Sequence, residues 1–189
     1  EGTNEINRQI ITGYMMKKAL MEELPIQGAI REIEQYMNNG KLETDSEILL
    51  AESNVVETSK RLALFLLNEG ICEFGQDLKH QQQIADILAN IFIDIYVAES
   101  TVLRAKKILG DPAAPSSVEA VAKIFVAEMA QRMMQFAETA LKGIYNGDLS
   151  TLIHENLNMF RSRMYLPTNT IGLKREIAAY AYSKKSYPY

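Results

Sequence analysis

Residues 82–109 read QQIADILANIFIDIYVAESTVLRAKKIL, and this stretch decides the fold class. Ile84, Leu88, Ile91, Ile95, Ala98, Val102, Ala105 and Leu109 recur at alternating steps of four and three. That spacing is the seam of a helix packed in a bundle. Ile87 and Phe92 widen the seam into a core-facing stripe. Neither proline nor glycine interrupts it, and Gly110-Asp111-Pro112 stops it, because proline cannot continue a helix.

Helical spacing extends to both sides. PSSVEA restarts a helix, with Ser116 or Ser117 as N-cap and Glu119 near the first turn. Val118, Ala122, Phe125, Met129, Met133, Phe136, Ala140 and Ile144 carry it from about Val118 to Tyr145. Asn146-Gly147 ends it, and Asp148 is placed to cap a shorter helix through Leu152, Leu157 and Phe160. After Leu166-Pro167, Thr168, Asn169 or Thr170 starts a last helix through Ile177 and Ala181.

On the N-terminal side a long helix is expected from about Asp45 to Leu78, through Leu49, Val56, Ala63, Leu67, Ile71, Phe74 and Leu78. Asp45 or Thr44 would cap it, with Glu47 in the first turn. Gly70 and Gly75, each costing about 1 kcal/mol against alanine, mark a kink or a close helix contact. The first helix runs from about Asn4 to Met21, with Ile6, Ile10, Tyr14 and Lys17 along one side. Pro25 breaks the chain, and a short amphipathic helix follows from Ile26 to Met37, closed by Asn38-Asn39-Gly40. No segment alternates apolar and polar residues long enough for a sheet. The expected architecture is all-α: an antiparallel helical bundle of three long helices plus shorter ones. It divides into 1–21, a linker at 22–44 holding the short helix, the bundle at 45–165, and a C-terminal helix and tail at 166–189.

The composition excludes several functions. A net charge of −4 and a pI near 5.3 argue against a nucleic-acid partner, which calls for a basic face. Cys72 is the single cysteine, so no internal disulfide forms, and a cytoplasmic location fits. No apolar run is long enough to span a membrane. Asp77 and His80 have helical spacing for two metal ligands, short of the three or four a tight site needs, so no metal is expected. Cys72 has no histidine nearby in sequence and reads as a buried, inert thiol. Met15, Met16, Met21, Met129, Met133 and Met134 read as core filling. The Ile26–Met37 helix carries Gln27, Arg31, Glu32, Glu34 and Gln35 on its polar face, too acidic to favour anionic lipid. The tail tyrosines Tyr180, Tyr182, Tyr187 and Tyr189 suit either an interface or docking on the bundle itself.

The opening octet, Glu1-Gly2-Thr3-Asn4-Glu5-Ile6-Asn7-Arg8, resembles the Glu-Gly-Thr-Asn-Glu/Asp-Ile-x-Arg segment of the acyl-CoA dehydrogenases. The tail PTNTIGLKREIAAYAYSKKSYPY, with its Pro-x-Asn-x-x-Gly pattern, and the 82–109 helix are similar to the extra helical region of the very-long-chain members. The resemblance is sharp over the first eight residues and diffuse over about Glu22 to Tyr165. It implies the C-terminal domain of a bacterial-type long-chain enzyme, with residues 1–21 closing its dehydrogenase module. Glu1 then matches the catalytic base that removes the pro-R α-proton of an acyl-CoA while FAD accepts the β-hydride. A dry acyl chain would raise that carboxylate's proton affinity. Gly2 matches a substrate-contacting position beside the thioester, where no Cβ blocks close approach. Thr3, Asn4 and Glu5 match FAD-contacting positions, Thr3 with a hydroxyl at a helix N-terminus. Shorter-chain relatives often carry Arg where this chain has Gly13, a departure that fits the longer group. The resemblance further implies fatty acid β-oxidation, an electron-transfer flavoprotein as acceptor and a homodimer. It also implies a cytoplasmic enzyme with peripheral contact at the inner membrane as an option. The fragment alone is expected to be inactive and free of FAD. Two rival readings are a bundle that docks on a membrane or a protein, and a stand-alone carrier of a metal or ligand.

Overall fold

The computed structural model describes residues 3–24, 28, 47–115 and 117–184. Among them are six α-helices: α1 (Asn4–Leu20), α2 (Leu50–Phe74), α3 (Gln82–Leu109), α4 (Ser117–Ile144), α5 (Thr151–Arg163) and α6 (Thr170–Lys184). A 3₁₀ turn, Gly75–His80, joins α2 to α3. The described residues contain no strand. The chain is an all-α antiparallel bundle. Apart from Gly28, the expected Ile26–Met37 helix lies outside the described residues, as do Glu1, Gly2, Thr44, Asp45, Ser116, Tyr187 and Tyr189.

Helices α2, α3 and α4 form the centre, and their ion pairs record the register. Lys106 on α3 bridges Glu47 ahead of α2 at 2.7 Å, and Lys60 on α2 bridges Glu99 on α3 at 2.6 Å. As one number rises the other falls, so α2 and α3 are antiparallel. Between α3 and α4, Arg132 meets Asp94 at 3.1 Å, and Ile84 lies against Gly143, again in opposite senses. Leu62, Leu66, Leu88, Ile91, Met129 and Met133 are fully buried between the three helices, each such side chain contributing roughly 1.5–3 kcal/mol. Phe160 of α5 closes one side, its ring 5.7 Å from that of Phe65. Helix α6 has no buried residue. It is tied to α4 through Lys174 and Glu128 and starts where Asn169 Oδ1 accepts from the Gly172 amide at 3.0 Å.

Several local expectations need correction. Helix α2 starts at Leu50, not near Asp45. Leu49 adopts a left-handed conformation, φ 57°, with no side-chain cap, and is itself buried. Burial of that leucine, not a capping polar group, turns the chain into the helix. The helix also ends early, at Phe74, where Gly75 takes φ 53°. The 3₁₀ turn then folds Leu78 back onto Gly70, where a Cβ would lie 3.1 Å from Leu78 Cδ1. Ser150, not Asp148, caps α5, its Oγ accepting from the Ile153 amide at 3.3 Å. Leu152 is exposed and Ile153 buried in its place, since Ile153 and not Leu152 stands at helical spacing from Leu157 and Phe160. Ser117 is no cap either: it lies within α4, its Oγ buried and without a hydrogen-bond partner among the described residues. Cys72 is exposed, because Gly70 and Ile71 take the inward positions of that turn. Met21 is exposed, while Met16, Met129, Met133 and Met134 fill the core.

Candidate functional site

The residues matched to catalysis and cofactor contact lie at the start of α1, so what fixes α1 fixes the site. Thr3 has extended backbone, φ −67° and ψ 158°, and its Oγ1 accepts from the Ile6 amide at 3.4 Å. That satisfies one of the helix's free first-turn donors. Thr3, Asn4 and Glu5 are all exposed, consecutive on the chain and gathered at one helix end. Glu1 and Gly2 lie outside the described residues, so the expected base and the thioester-facing glycine have no geometry here.

Polar side chains hold this end in place. Arg8 donates from Nε to Asn90 Oδ1 at 2.7 Å and from Nη1 to the Asn4 carbonyl at 3.1 Å. Its Nε is also 3.5 Å from Asp86 Oδ1. Asn90 in turn donates to Asp86 at 3.1 Å. One turn further on, the buried Thr12 hydroxyl donates to the Ala85 carbonyl at 2.6 Å, and Gln9 donates to the Gln82 carbonyl at 3.0 Å. Met16 is buried below them. The side that carries Ile6, Ile10 and Tyr14 does not meet the bundle: Ile10 is 63% and Tyr14 57% exposed. Helix α1 docks through Arg8, Gln9, Thr12 and Met16, and its apolar stripe points away from α3.

Arg8 belongs to the octet that carries the resemblance, but Asp86 and Asn90 lie 78 and 82 residues away in sequence, and nothing at either signals that role. Elsewhere among the described residues no group of three or more His, Cys, Asp or Glu could hold a metal ion. Asp77 and His80 are both exposed. Among the same residues no helix is long and apolar enough to cross a membrane.

A domain family described as "Acyl-CoA dehydrogenase, C-terminal domain" matches residues 58–158, from within α2 to within α5. The chain belongs to this acyl-CoA dehydrogenase C-terminal family. A probable acyl-CoA dehydrogenase of Bacillus subtilis (strain 168) is 31% identical over 190 residues, covering 99% of this chain and 32% of that protein. The crystal structure of an acyl-CoA dehydrogenase complexed with FAD from Bacillus anthracis superposes with a TM-score of 0.86 at 26% identity, covering all of this chain and 32% of that one. The chain thus spans about a third of the length of the dehydrogenases it matches. The family match begins after α1, whereas both relatives align across it.

Proposed function

We propose that this chain is the C-terminal part of an FAD-dependent acyl-CoA dehydrogenase and that Glu1 is that enzyme's catalytic base. The observation that carries the reading is the match of the whole chain to one third of a dehydrogenase whose structure holds FAD. The start of α1 fits the cofactor. Thr3 uses a lone pair to cap α1, leaving its hydroxyl hydrogen free to donate. The positive end of the helix favours a phosphate or other electron-rich group. Glu5, an acceptor when ionised, suits a hydroxyl of the cofactor rather than its phosphates.

FAD, when bound, accepts the hydride that leaves the β-carbon of the acyl thioester. The rest falls to the chain's own groups. The Glu1 carboxylate takes the α-proton and holds it as a neutral carboxyl, a form favoured once the acyl chain has excluded water. Gly2 lets the backbone pass close to the thioester. Arg8, by tying Asn4 to Asn90, sets where the three cofactor-contacting residues stand. Helix α1 serves as the last element of the dehydrogenase module, its outward stripe of Ile6, Ile10 and Tyr14 covered by the rest of that module. The bundle from α2 onward is a packing and dimerisation domain. The substrate class is a fatty acyl-CoA of β-oxidation, and electrons pass on to an electron-transfer flavoprotein. By itself the fragment neither binds FAD nor turns over.

The test is made in the longer chain. Glu1→Gln should keep the flavin spectrum yet slow its bleaching by acyl-CoA about 10²–10⁴-fold, the range for loss of a general base. Bleaching at the unaltered rate would remove Glu1 from the mechanism.

A further inference from the structure

Helix α1 is held against α3 by two kinds of polar contact. Gln9 and Thr12 donate to the main-chain carbonyls of Gln82 and Ala85, acceptors that exist whatever side chains stand there. Arg8 instead meets two side chains, Asp86 and Asn90. These stand four residues apart and share one face of α3.

Donor and acceptor chemistry allows this cluster one arrangement. A guanidinium only donates, an ionised carboxylate only accepts, and a carboxamide has one end of each kind. Asn90 lies between the two. Its Oδ1 accepts from Arg8 Nε at 2.7 Å, and its Nδ2 donates to Asp86 Oδ2 at 3.1 Å. Turning the amide over would set donor against donor at Arg8 and acceptor against acceptor at Asp86. The other carboxylate oxygen of Asp86 lies 3.5 Å from Arg8 Nε and opposes its charge. The Arg8 and Asp86 side chains are 30% and 42% exposed, so water screens that attraction and it is a weak restraint alone. The amide held between them gives the guanidinium a direction.

That direction reaches the start of α1. Arg8 Nη1 donates to the carbonyl of Asn4 at 3.1 Å, one residue after the Thr3 cap. Taken alone, this bond stays inside α1 and fixes nothing relative to the bundle. With Asn90 held by Asp86, the same planar group is anchored to α3 on one side and to the first turn of α1 on the other. On the reading of the preceding section, on which this inference rests, Thr3, Asn4 and Glu5 contact FAD. We infer that Asp86 is a positioning residue for the flavin site. It orients Asn90, Asn90 orients Arg8, and Arg8 sets the turn that meets the cofactor. The bundle thereby takes part in holding the flavin, beyond packing against the rest of the enzyme.

The experiment uses the longer chain with FAD as the probe, and reads the FAD dissociation constant and the visible band of the bound flavin. Asp86→Ala should weaken FAD binding by about tenfold, the equivalent of one net hydrogen bond, and shift the band. Asn90→Leu removes the middle link at nearly constant volume and should do the same. The exchange of Asp86→Asn with Asn90→Asp puts the carboxylate beside Arg8 and the amide behind it, so every donor still meets an acceptor. It should bind FAD within about threefold of the unaltered protein. Asp94→Ala is the control for lost stability alone. It breaks the Arg132 pair on the same helix, at a carboxylate less exposed than Asp86, and should leave both readouts unchanged. Equal FAD affinity in Asp86→Ala, Asn90→Leu and Asp94→Ala, in a protein bleached by acyl-CoA, would overturn the inference and leave the dehydrogenase reading standing. An exchange variant as weak as the single ones would also overturn it, since the order of the groups would then not position Arg8. An unaltered longer chain that holds no flavin and does not respond to acyl-CoA would overturn both.

Discussion

Arg8 and Asn90, 82 residues apart in sequence, meet at 2.7 Å, and the same guanidinium donates to the carbonyl of Asn4. This one side chain carries the position of the first helical turn to the middle helix of the bundle. Replacing it with methionine keeps much of the stem but removes every donor. Arg8→Met should weaken α1 docking by about 1 kcal/mol, the net worth of a part-exposed polar contact. Amide exchange measured by mass spectrometry should rise across α1 while the centre of α3 stays protected. Uniform loosening of both helices would show that Arg8 supports the whole fold.

Two glycines in helices should respond in opposite directions to alanine. A Cβ at Gly13 meets nothing within 4 Å, whereas one at Gly70 would come to 3.1 Å from Leu78 Cδ1. Gly13→Ala should stabilise this chain by roughly 0.5–1 kcal/mol through lower unfolded-state entropy and better helix propensity. At Gly70 the same gain is opposed by Leu78, which is fully buried and has little room to withdraw. Gly70→Ala should lose about 1–2 kcal/mol net. Denaturant midpoints of the two variants, taken with unchanged slopes, decide the matter.

Tyr145 donates to Glu69 Oε2 at 2.5 Å. Burial first, and then the hydrogen bond and negative charge of Glu69, push the phenol well above its ordinary range. A folded-state pKa above the unfolded one means the contribution is intact below about pH 10 and is lost as pH rises beyond it. Tyr145→Phe should cost about 1 kcal/mol or less at pH 7, since the pair is only partly buried. The gap between the two proteins should narrow from pH 10 upward. Urea melts at pH 7 and pH 11 measure both values, and a gap that widens with pH would contradict the assignment.

Ser117 Oγ is buried and lacks a partner among the described residues. Ser117→Ala removes the uncompensated hydroxyl at little cost in packing. It should leave stability unchanged or raise it by about 1 kcal/mol. A clear fall in thermal midpoint would mean that the hydroxyl is satisfied in solution.

Ile10 projects from α1 into open space in this chain. Ile10→Lys should therefore alter the stability of the fragment by no more than about 0.5 kcal/mol. If the proposed dehydrogenase module covers the stripe, the same substitution in the longer chain should reduce flavin retention during gel filtration. An unaffected longer enzyme would place the stripe on a free surface.

Much of the bundle was legible in the residues themselves. The 82–109 seam forms α3 with the boundaries its spacing indicates, and 118–145 forms α4 within one residue, because long, uninterrupted apolar periodicity leaves a helix one way to bury its face. The stop of α4 was legible too, since Asn146 and Gly147 take positive φ, which these residue types adopt at low cost, whereas the helix expected to run on to Leu78 stops at Phe74. The starts of α2 and α5 were not legible. There the choice lay between several nearby polar residues, and burial of Leu49 and of Ile153 decided it.

Helix α1 shows where local pattern ceases to be informative. Its apolar residues define a face correctly, but pattern alone does not say what that face meets. The sequence by itself determined an all-helical chain, its three long helices and, through the Glu1 to Arg8 octet together with the 82–109 helix and the tail, the resemblance to its family. Only the tertiary structure decided that α1 docks by Arg8, Gln9 and Thr12 and leaves Ile6, Ile10 and Tyr14 outward. Only the tertiary structure, too, left Ile93, Tyr96, Val97 and Leu103 exposed on α3. The physical reason is the same in both cases. A helix records its own periodicity in its sequence, but hydrogen bonds to Asn90 and to the Ala85 carbonyl exist only once the bundle has brought α3 alongside.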